Sequence, residues 1–226
     1  MMLSLATALG AIFISGVSCH QLTGILLVNG TESPEWKYVR NAFYWAATTE
    51  TADILAGSEV GFRVSTDGNG KYGYFWHPGP GMIYLSRAPN DDLEHYRGDG
   101  DWFKIAYGGP VILIAHLKES EANQVNRQFN FTIPETTPPG KYLLRIEQFM
   151  PTTTRNYTQW YVHCAHVNIM GPGGGTPTEF ARFPGTYVVD QPGVLIPENQ
   201  FLAGSEPEEG FKLFDYRPPG PAVWSG

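Results

Sequence analysis

The chain is poor in charge: Asp, Glu, Lys and Arg make up 16% of it, and no run of basic residues occurs. With a net charge of −7, it lacks the electrostatic footprint by which proteins hold nucleic acid, so no such partner is expected. Cysteine is nearly absent. Of the 2 cysteines, Cys19 lies in an N-terminal apolar segment and Cys164 stands alone beyond it. Neither a disulfide framework nor a cysteine-rich zinc site can be built from that pair, and Cys164 is expected to be a buried, inert thiol. Also missing is a sustained 3.6-residue apolar period, which argues against a helical architecture. Beyond the N-terminal segment no apolar run is long enough to span a membrane.

Residues Met1 to Cys19 carry no charged side chain, and their apolar run from Leu3 to Val17 ends in small residues. Val17 and Cys19 occupy the two positions that a signal peptidase reads. A signal peptide over 1–19 is therefore expected, followed by one secreted, extracellular domain over 20–226. Cleavage there leaves His20 with a free amine and an imidazole on one residue, a pair that can close a chelate ring on a transition metal. Asn29-Gly30-Thr31, Asn130-Phe131-Thr132 and Asn156-Tyr157-Thr158 are glycosylation sequons, which makes Asn29, Asn130 and Asn156 the expected acceptors.

Glycine (26), proline (18) and aromatic residues (14%) are plentiful, a mix suited to strands joined by long structured loops. Runs with β-branched and aromatic residues recur at Leu22 to Val28, Glu59 to Val64, Met82 to Leu85 and Val111 to His116. More follow at Gln128 to Ile133, Lys141 to Glu147 and Thr158 to Ile169, with turn clusters such as Pro138-Pro139-Gly140 between them. This spacing predicts an all-β fold, an immunoglobulin/fibronectin-III-like antiparallel β-sandwich with long loops. Asp91 to His95 reads as a short helical turn. The glycines from Gly171 to Gly175 introduce a tail rich in proline, apolar and aromatic residues, from Phe180 to Trp224. A tail of that kind is expected to lie strapped across the sandwich rather than to dangle.

Six histidines are present, with no helical His-x-x-x-His pair, so any ligand set must be gathered from distant segments. His77, in Trp76-His77-Pro78-Gly79-Pro80, sits in a rigid loop that enters the strand at Met82. In the strand from Gln159 to Cys164, alternation puts Gln159, Tyr161 and His163 on one face and Trp160, Val162 and Cys164 on the other. The apolar second set reads as core. The first reads as a polar face, either solvated or needing partners where buried.

Together these segments resemble a fungal lytic polysaccharide monooxygenase of auxiliary activity family 9, formerly glycoside hydrolase family 61. The likeness covers nearly all of the chain after the signal. It is carried by the His20 start, His77-Pro78-Gly79-Pro80-Gly81-Met82-Ile83-Tyr84, Asp101-Trp102-Phe103-Lys104-Ile105 and Phe131-Thr132-Ile133-Pro134. Further matches are Pro138-Pro139-Gly140-Lys141-Tyr142-Leu143-Leu144-Arg145, Gln159-Trp160-Tyr161 with Cys164, Phe183-Pro184-Gly185-Thr186-Tyr187, Pro192-Gly193-Val194 and Pro219-Gly220-Pro221-Ala222-Val223-Trp224. The resemblance implies one copper per chain, held by the His20 amine and ring and the His77 ring, with Tyr161 axial and Gln159 beside it in a catalytic role. It also implies a flat substrate face with Tyr216 among its residues. The implied partners are insoluble cellulose or hemicellulose, an external electron donor and O2 or H2O2, with the protein a monomer that contacts no membrane. Nitrogen donors of this kind suit Cu(II), and imidazole also tolerates Cu(I).

The sequence departs from the family's pattern in three places. No cysteine lies upstream to pair with Cys164. The histidine usually found seven residues after the arginine of Leu-Leu-Arg falls here at Thr152, and His163 is a candidate to substitute for it. The segment from Gly30 to Ala56 is short, and nothing resembling a carbohydrate-binding module follows Trp224, so substrate contact is expected from this domain. The alternative reading is a non-catalytic copper-binding protein on the same scaffold, with a metal-free carbohydrate-binding sandwich a more distant third. A hydrolase would need two carboxylates flanking the scissile bond, whereas Asp91, Asp92, Glu94, Asp99 and Asp101 share one loop that reads as solvated.

Overall fold

The computed structural model of the chain describes residues 22–41, 46–66, 73–75, 79–109, 127–197 and 216–226. Among these residues nine strands follow in order: β1 (Ile25–Val28), β2 (Thr31–Glu32), β3 (Ala52–Leu55), β4 (Glu59–Arg63), β5 (Gly81–Arg87), β6 (Phe103–Gly108), β7 (Gln128–Thr132), β8 (Gly140–Met150) and β9 (Gln159–Met170). They form a four-stranded sheet, β2-β1-β4-β7, and a five-stranded sheet, β3-β9-β8-β5-β6. This is the expected all-β sandwich. Its strand pairs are antiparallel except for β3 with β9, which run parallel.

Alternation explains the first core. Ile83 and Leu85 of β5, Tyr142, Leu144 and Ile146 of β8, and Ala165, Val167 and Ile169 of β9 point toward Leu26, Val60, Phe62, Phe129 and Phe131 of the facing sheet. β5 is buried on both faces from Gly81 through Ser86, as a central strand is when a second layer covers its outer side. That layer is the tail. Ala181 and Trp102 exchange backbone hydrogen bonds of 2.8 and 2.9 Å, and the backbone of Trp224 donates to the Lys104 carbonyl at 2.7 Å. Trp224 also packs edge-on against Phe103 with ring centroids 5.3 Å apart. Lys104 is buried, and its Nζ donates to the carbonyl of Pro219 at 2.9 Å. The expectation of a strapped tail is met in the described parts.

Strapping creates a second core, on the outer face of the larger sheet, around Met82, Tyr84, Trp102, Leu143 and Phe149, with Cys164, Phe183, Tyr187 and Tyr216 packed against it. Here the structure corrects the reading of β9. Gln159, Tyr161 and His163 lie on the inner face, in line with the core residues Ala165, Val167 and Ile169. Trp160, Val162 and Cys164 face outward into the layer beneath the tail, and Trp160 stays 38% exposed. The reversal has a simple cause. The tail covers the outer face with aromatic residues, so apolar character marks both sides of β9 and ceases to identify the inner one.

The expected helical turn at Asp91 to His95 is a single 3-10 turn at Pro89–Asp91 that runs into further turns. The expected strand at Val111 to His116 lies outside the described residues.

Candidate metal centre

Three segments arrive at one end of the sandwich. The first is the start of β9, where Tyr161 is buried at 9% exposure and its hydroxyl donates to the Gln159 Oε1 at 2.7 Å. Gln159 itself is exposed, at the rim. Strand pairing sets Tyr161 opposite Gln148 and Trp160 opposite Phe149 on β8.

The second is the entry to β5. Gly79 adopts a φ of 151°, and a Cβ there would overlap the Phe149 carbonyl oxygen, so only glycine fits. The backbone N–H of Phe149 donates to the Pro80 carbonyl at 3.4 Å. Gly79 and Pro80, which follow His77 in sequence, are thereby docked on β8 one residue along from the partner of Tyr161. His77 and His20 themselves lie outside the described residues.

The third is the lead into β1. Thr23 is buried, and its Oγ1 is 2.9 Å from Nδ1 of His163, with the hydrogen-bond direction set by the tautomer. The Trp36 ring lies across His163 with centroids 5.9 Å apart. Burial pushes the His163 imidazole down to about 4, so it is neutral at ordinary pH.

Other expected site residues sit elsewhere or are already engaged. Thr152, where the resemblance puts a histidine, is buried; its hydroxyl donates to the Thr154 carbonyl at 2.8 Å and its own carbonyl accepts the Ile196 N–H at 3.0 Å. Tyr216 is half-buried with its hydroxyl donating to Gly193 O at 2.6 Å, and burial raises its phenol well above the usual range. Its ring packs against the second core. Cys164 is free and half-buried, its thiol pushed up by burial. His95 is a surface residue paired with Asp92. His166 is buried and accepts the Arg40 Nε–H at 2.7 Å. Asn29, Asn130 and Asn156 are all exposed.

Among the described residues no three His, Cys, Asp or Glu side chains converge as a metal cluster. The donor chemistry at this end of the sandwich still fits copper. A phenol oxygen is fixed and buried beside a rim amide, and both segments adjoining the expected histidines are locked into place next to it. A hollow of about 650 Å3 lies on the other side of β9, lined by residues including Arg40, Trp102, Arg145, Trp160 and Tyr187. It faces away from Tyr161 and takes no part in this arrangement.

Known proteins similar to this chain belong to one family. Residues 28–203 match the model of Auxiliary Activity family 9, formerly GH61. The chain is 59% identical to AA9 family lytic polysaccharide monooxygenase U of Thermothielavioides terrestris, over 100% of each chain. It is 32% identical to AA9 family lytic polysaccharide monooxygenase C of Emericella nidulans, over 92% of this chain and 93% of that one. Among solved structures, the glycoside hydrolase family 61 member Cel61B from Hypocrea jecorina superimposes with a TM-score of 0.67 at 18% identity, covering 91% of this chain and 100% of that one. HiLPMO9B gives 0.65 at 23% identity, covering 92% and 100%. At such identities the superpositions establish the shared fold.

Proposed function

The chain belongs to auxiliary activity family 9, the copper-dependent polysaccharide monooxygenases, and on that premise we propose that it is a secreted oxygenase acting on cellulose or a related β-1,4-glucan. The observation that carries this reading is the Tyr161–Gln159 hydrogen bond of 2.7 Å at the end of the sandwich where residues 22–24 and 79–80 both arrive. The same family membership favours the oxygenase over a non-catalytic copper carrier.

One copper would be held by the His20 amine and ring, the His77 ring and the Tyr161 oxygen. When bound, copper supplies a one-electron redox centre that activates O2 or H2O2 toward a C–H bond, with an external donor providing electrons. The chain's own residues prepare that chemistry. A terminal amine has a pKa of roughly 7.7–8.0, so a metal displaces its proton near neutral pH far more readily than it would from a lysine. Tyr161 donates its proton to Gln159, which turns the phenol lone pairs away from the amide. By accepting on Oε1, Gln159 is fixed with its two N–H donors free to face the rim, where substrate and oxygen species approach. Burial of Tyr161 keeps bulk water away from its hydroxyl.

Supporting secretion are the N-terminal apolar segment over 1–19 and the exposed positions of Asn29, Asn130 and Asn156, each suited to carry glycan. The remaining chain, 20–226, acts as one monomeric domain, with half-buried Tyr216 as its candidate sugar contact. The test is to load the mature protein with copper, add ascorbate and cellulose, and analyse the soluble products by mass spectrometry. Oxidised oligosaccharides that vanish in His20→Ala are the expected result. Tight copper binding with no oxidised product on any β-1,4-glucan would sink the proposal.

A further inference from the structure

The segment leading into β1 is held at four points. The Leu22 carbonyl accepts the Ser65 N–H at 2.6 Å, and the Gly24 carbonyl accepts the Trp36 N–H at 2.9 Å. The Gly24 N–H donates to Ser65 Oγ at 3.0 Å, and Thr23 Oγ1 meets His163 Nδ1 at 2.9 Å. Gly24 is wedged: a Cβ there would lie 2.6 Å from Ser65 Oγ and 2.8 Å from a carbon of the Trp36 indole. Three of these contacts tie the segment to its own side of the sandwich, through Ser65 just past β4 and through the loop bearing Trp36. The fourth crosses to β9.

That crossing matters because of what stands on either side of it. His163 shares the inner face of β9 with Tyr161, two residues away, which is about 6–7 Å along a strand. Thr23 is three residues after His20, a stretch that reaches about 10 Å at full extension. The Thr23–His163 bond spans 140 positions of sequence and joins the chain's N-terminal lead to the strand bearing Tyr161 and Gln159. It also commits Nδ1 of His163.

Resting on the copper reading above, we infer that His163 is a positioning residue, which through Thr23 fixes the N-terminal lead carrying His20 at a set distance from Tyr161. It touches neither copper nor substrate in this role. Trp36 holds the His163 ring in the orientation that keeps the bond made.

Two substitutions break the bond with little change of shape. Thr23→Val is isosteric, and His163→Phe keeps an aromatic ring against Trp36. His163→Asn leaves a polar group near the place of Nδ1 and serves as the rescue. In the mature, copper-loaded protein, each breaking variant should weaken Cu(II) affinity roughly 2- to 10-fold, the range for losing one net hydrogen bond. Each should also alter the Cu(II) electron paramagnetic resonance spectrum. The double variant should be no worse than the worse single one, and His163→Asn should recover most of the affinity. The melting temperature of each copper-free variant shows that it is folded.

Unchanged affinity and spectrum in both single variants, or strictly additive losses in the double, would overturn the inference. Should the unaltered protein bind no copper, the copper reading fails by itself, and the positioning is then read without metal. Hydrogen–deuterium exchange over residues 20–24 should be faster in both single variants than in the unaltered chain, and equal protection would overturn the inference on that arm.

Discussion

The backbone of Gly79 lies against the carbonyl oxygen of Phe149 with no space for a side chain between them. The contact fixes the loop that follows His77 onto β8, and it demands a φ of 151° that other residues resist. Gly79→Ala should therefore cost about 1–3 kcal/mol, as overpacking and backbone strain together do, and shift the segment that follows His77. Urea denaturation of the copper-free protein gives the first number, and a copper titration gives the second. A variant with unchanged stability and unchanged affinity would show that the loop is not seated through this glycine.

Arg145 and Glu147 make a second tight pair, in the layer beneath the tail. Glu147 is fully buried, and its Oε2 accepts both Nε and Nη2 of Arg145 at 3.1 and 2.9 Å. Burial raises the carboxyl's pKa while the neighbouring guanidinium opposes the rise. The guanidinium lies 4.3 Å from the centre of the Phe183 ring, so the pair also anchors the tail. Removing one partner strands a buried charge, and Arg145→Met should cost about 3–5 kcal/mol. The double substitution Arg145→Met with Glu147→Leu should cost clearly less than the sum of the two singles. Urea midpoints across this double-mutant cycle decide the matter, and additive costs would mean that the charges do not depend on one another.

How far the sequence foretold this structure depends on where along β9 one looks. Alternation separated Gln159, Tyr161 and His163 from Trp160, Val162 and Cys164 correctly, because it is a property of any strand. It could not say which set points inward. Trp160 stacks on Tyr187 with centroids 5.0 Å apart, so its apolar neighbours come from the tail rather than from the facing sheet. β6 was legible only through family resemblance, since Lys104, its second residue, disguises a buried strand until the Pro219 carbonyl is seen to accept its hydrogen bond. β3 is four residues long, too short to leave a period. At the site, Gln159 and Tyr161 could be named in advance, whereas Thr23 could not. Its partner is far away in sequence, and a threonine near a strand start carries no signal of its own.

The Tyr161 hydroxyl can be tested with one atom. Tyr161→Phe removes the bond to Gln159 and the proposed ligand oxygen while preserving the ring. Loss of that bond should cost about 1 kcal/mol in the copper-free protein. In the copper-loaded protein the resonance spectrum should change with little loss of affinity, because the nitrogen donors of His20 and His77 remain. An unchanged spectrum would remove Tyr161 from the proposed ligand set.

His166 gives a pH dependence whose sign follows from its surroundings. The Arg40 Nε–H points at Nε2 of His166 from 2.7 Å, so that nitrogen must be unprotonated in the native state. Burial foremost, and then the Arg40 charge, push the folded imidazole down to about 4, whereas an unperturbed histidine titrates near 6.5. Between those values the unfolded chain binds a proton that the folded one refuses, so stability is complete above about pH 6.5 and is lost as pH falls toward 4. The slope contributed by this residue approaches about 1.4 kcal/mol per pH unit within that window. His166→Gln retains an acceptor for Arg40 but cannot take up a proton. Urea midpoints of the two proteins at pH 7 and at pH 4.5 separate this contribution from that of the carboxylates, which both chains share. The unaltered protein should lose more stability over the interval than His166→Gln does. Equal losses would show that the proton excluded in this window belongs to another group.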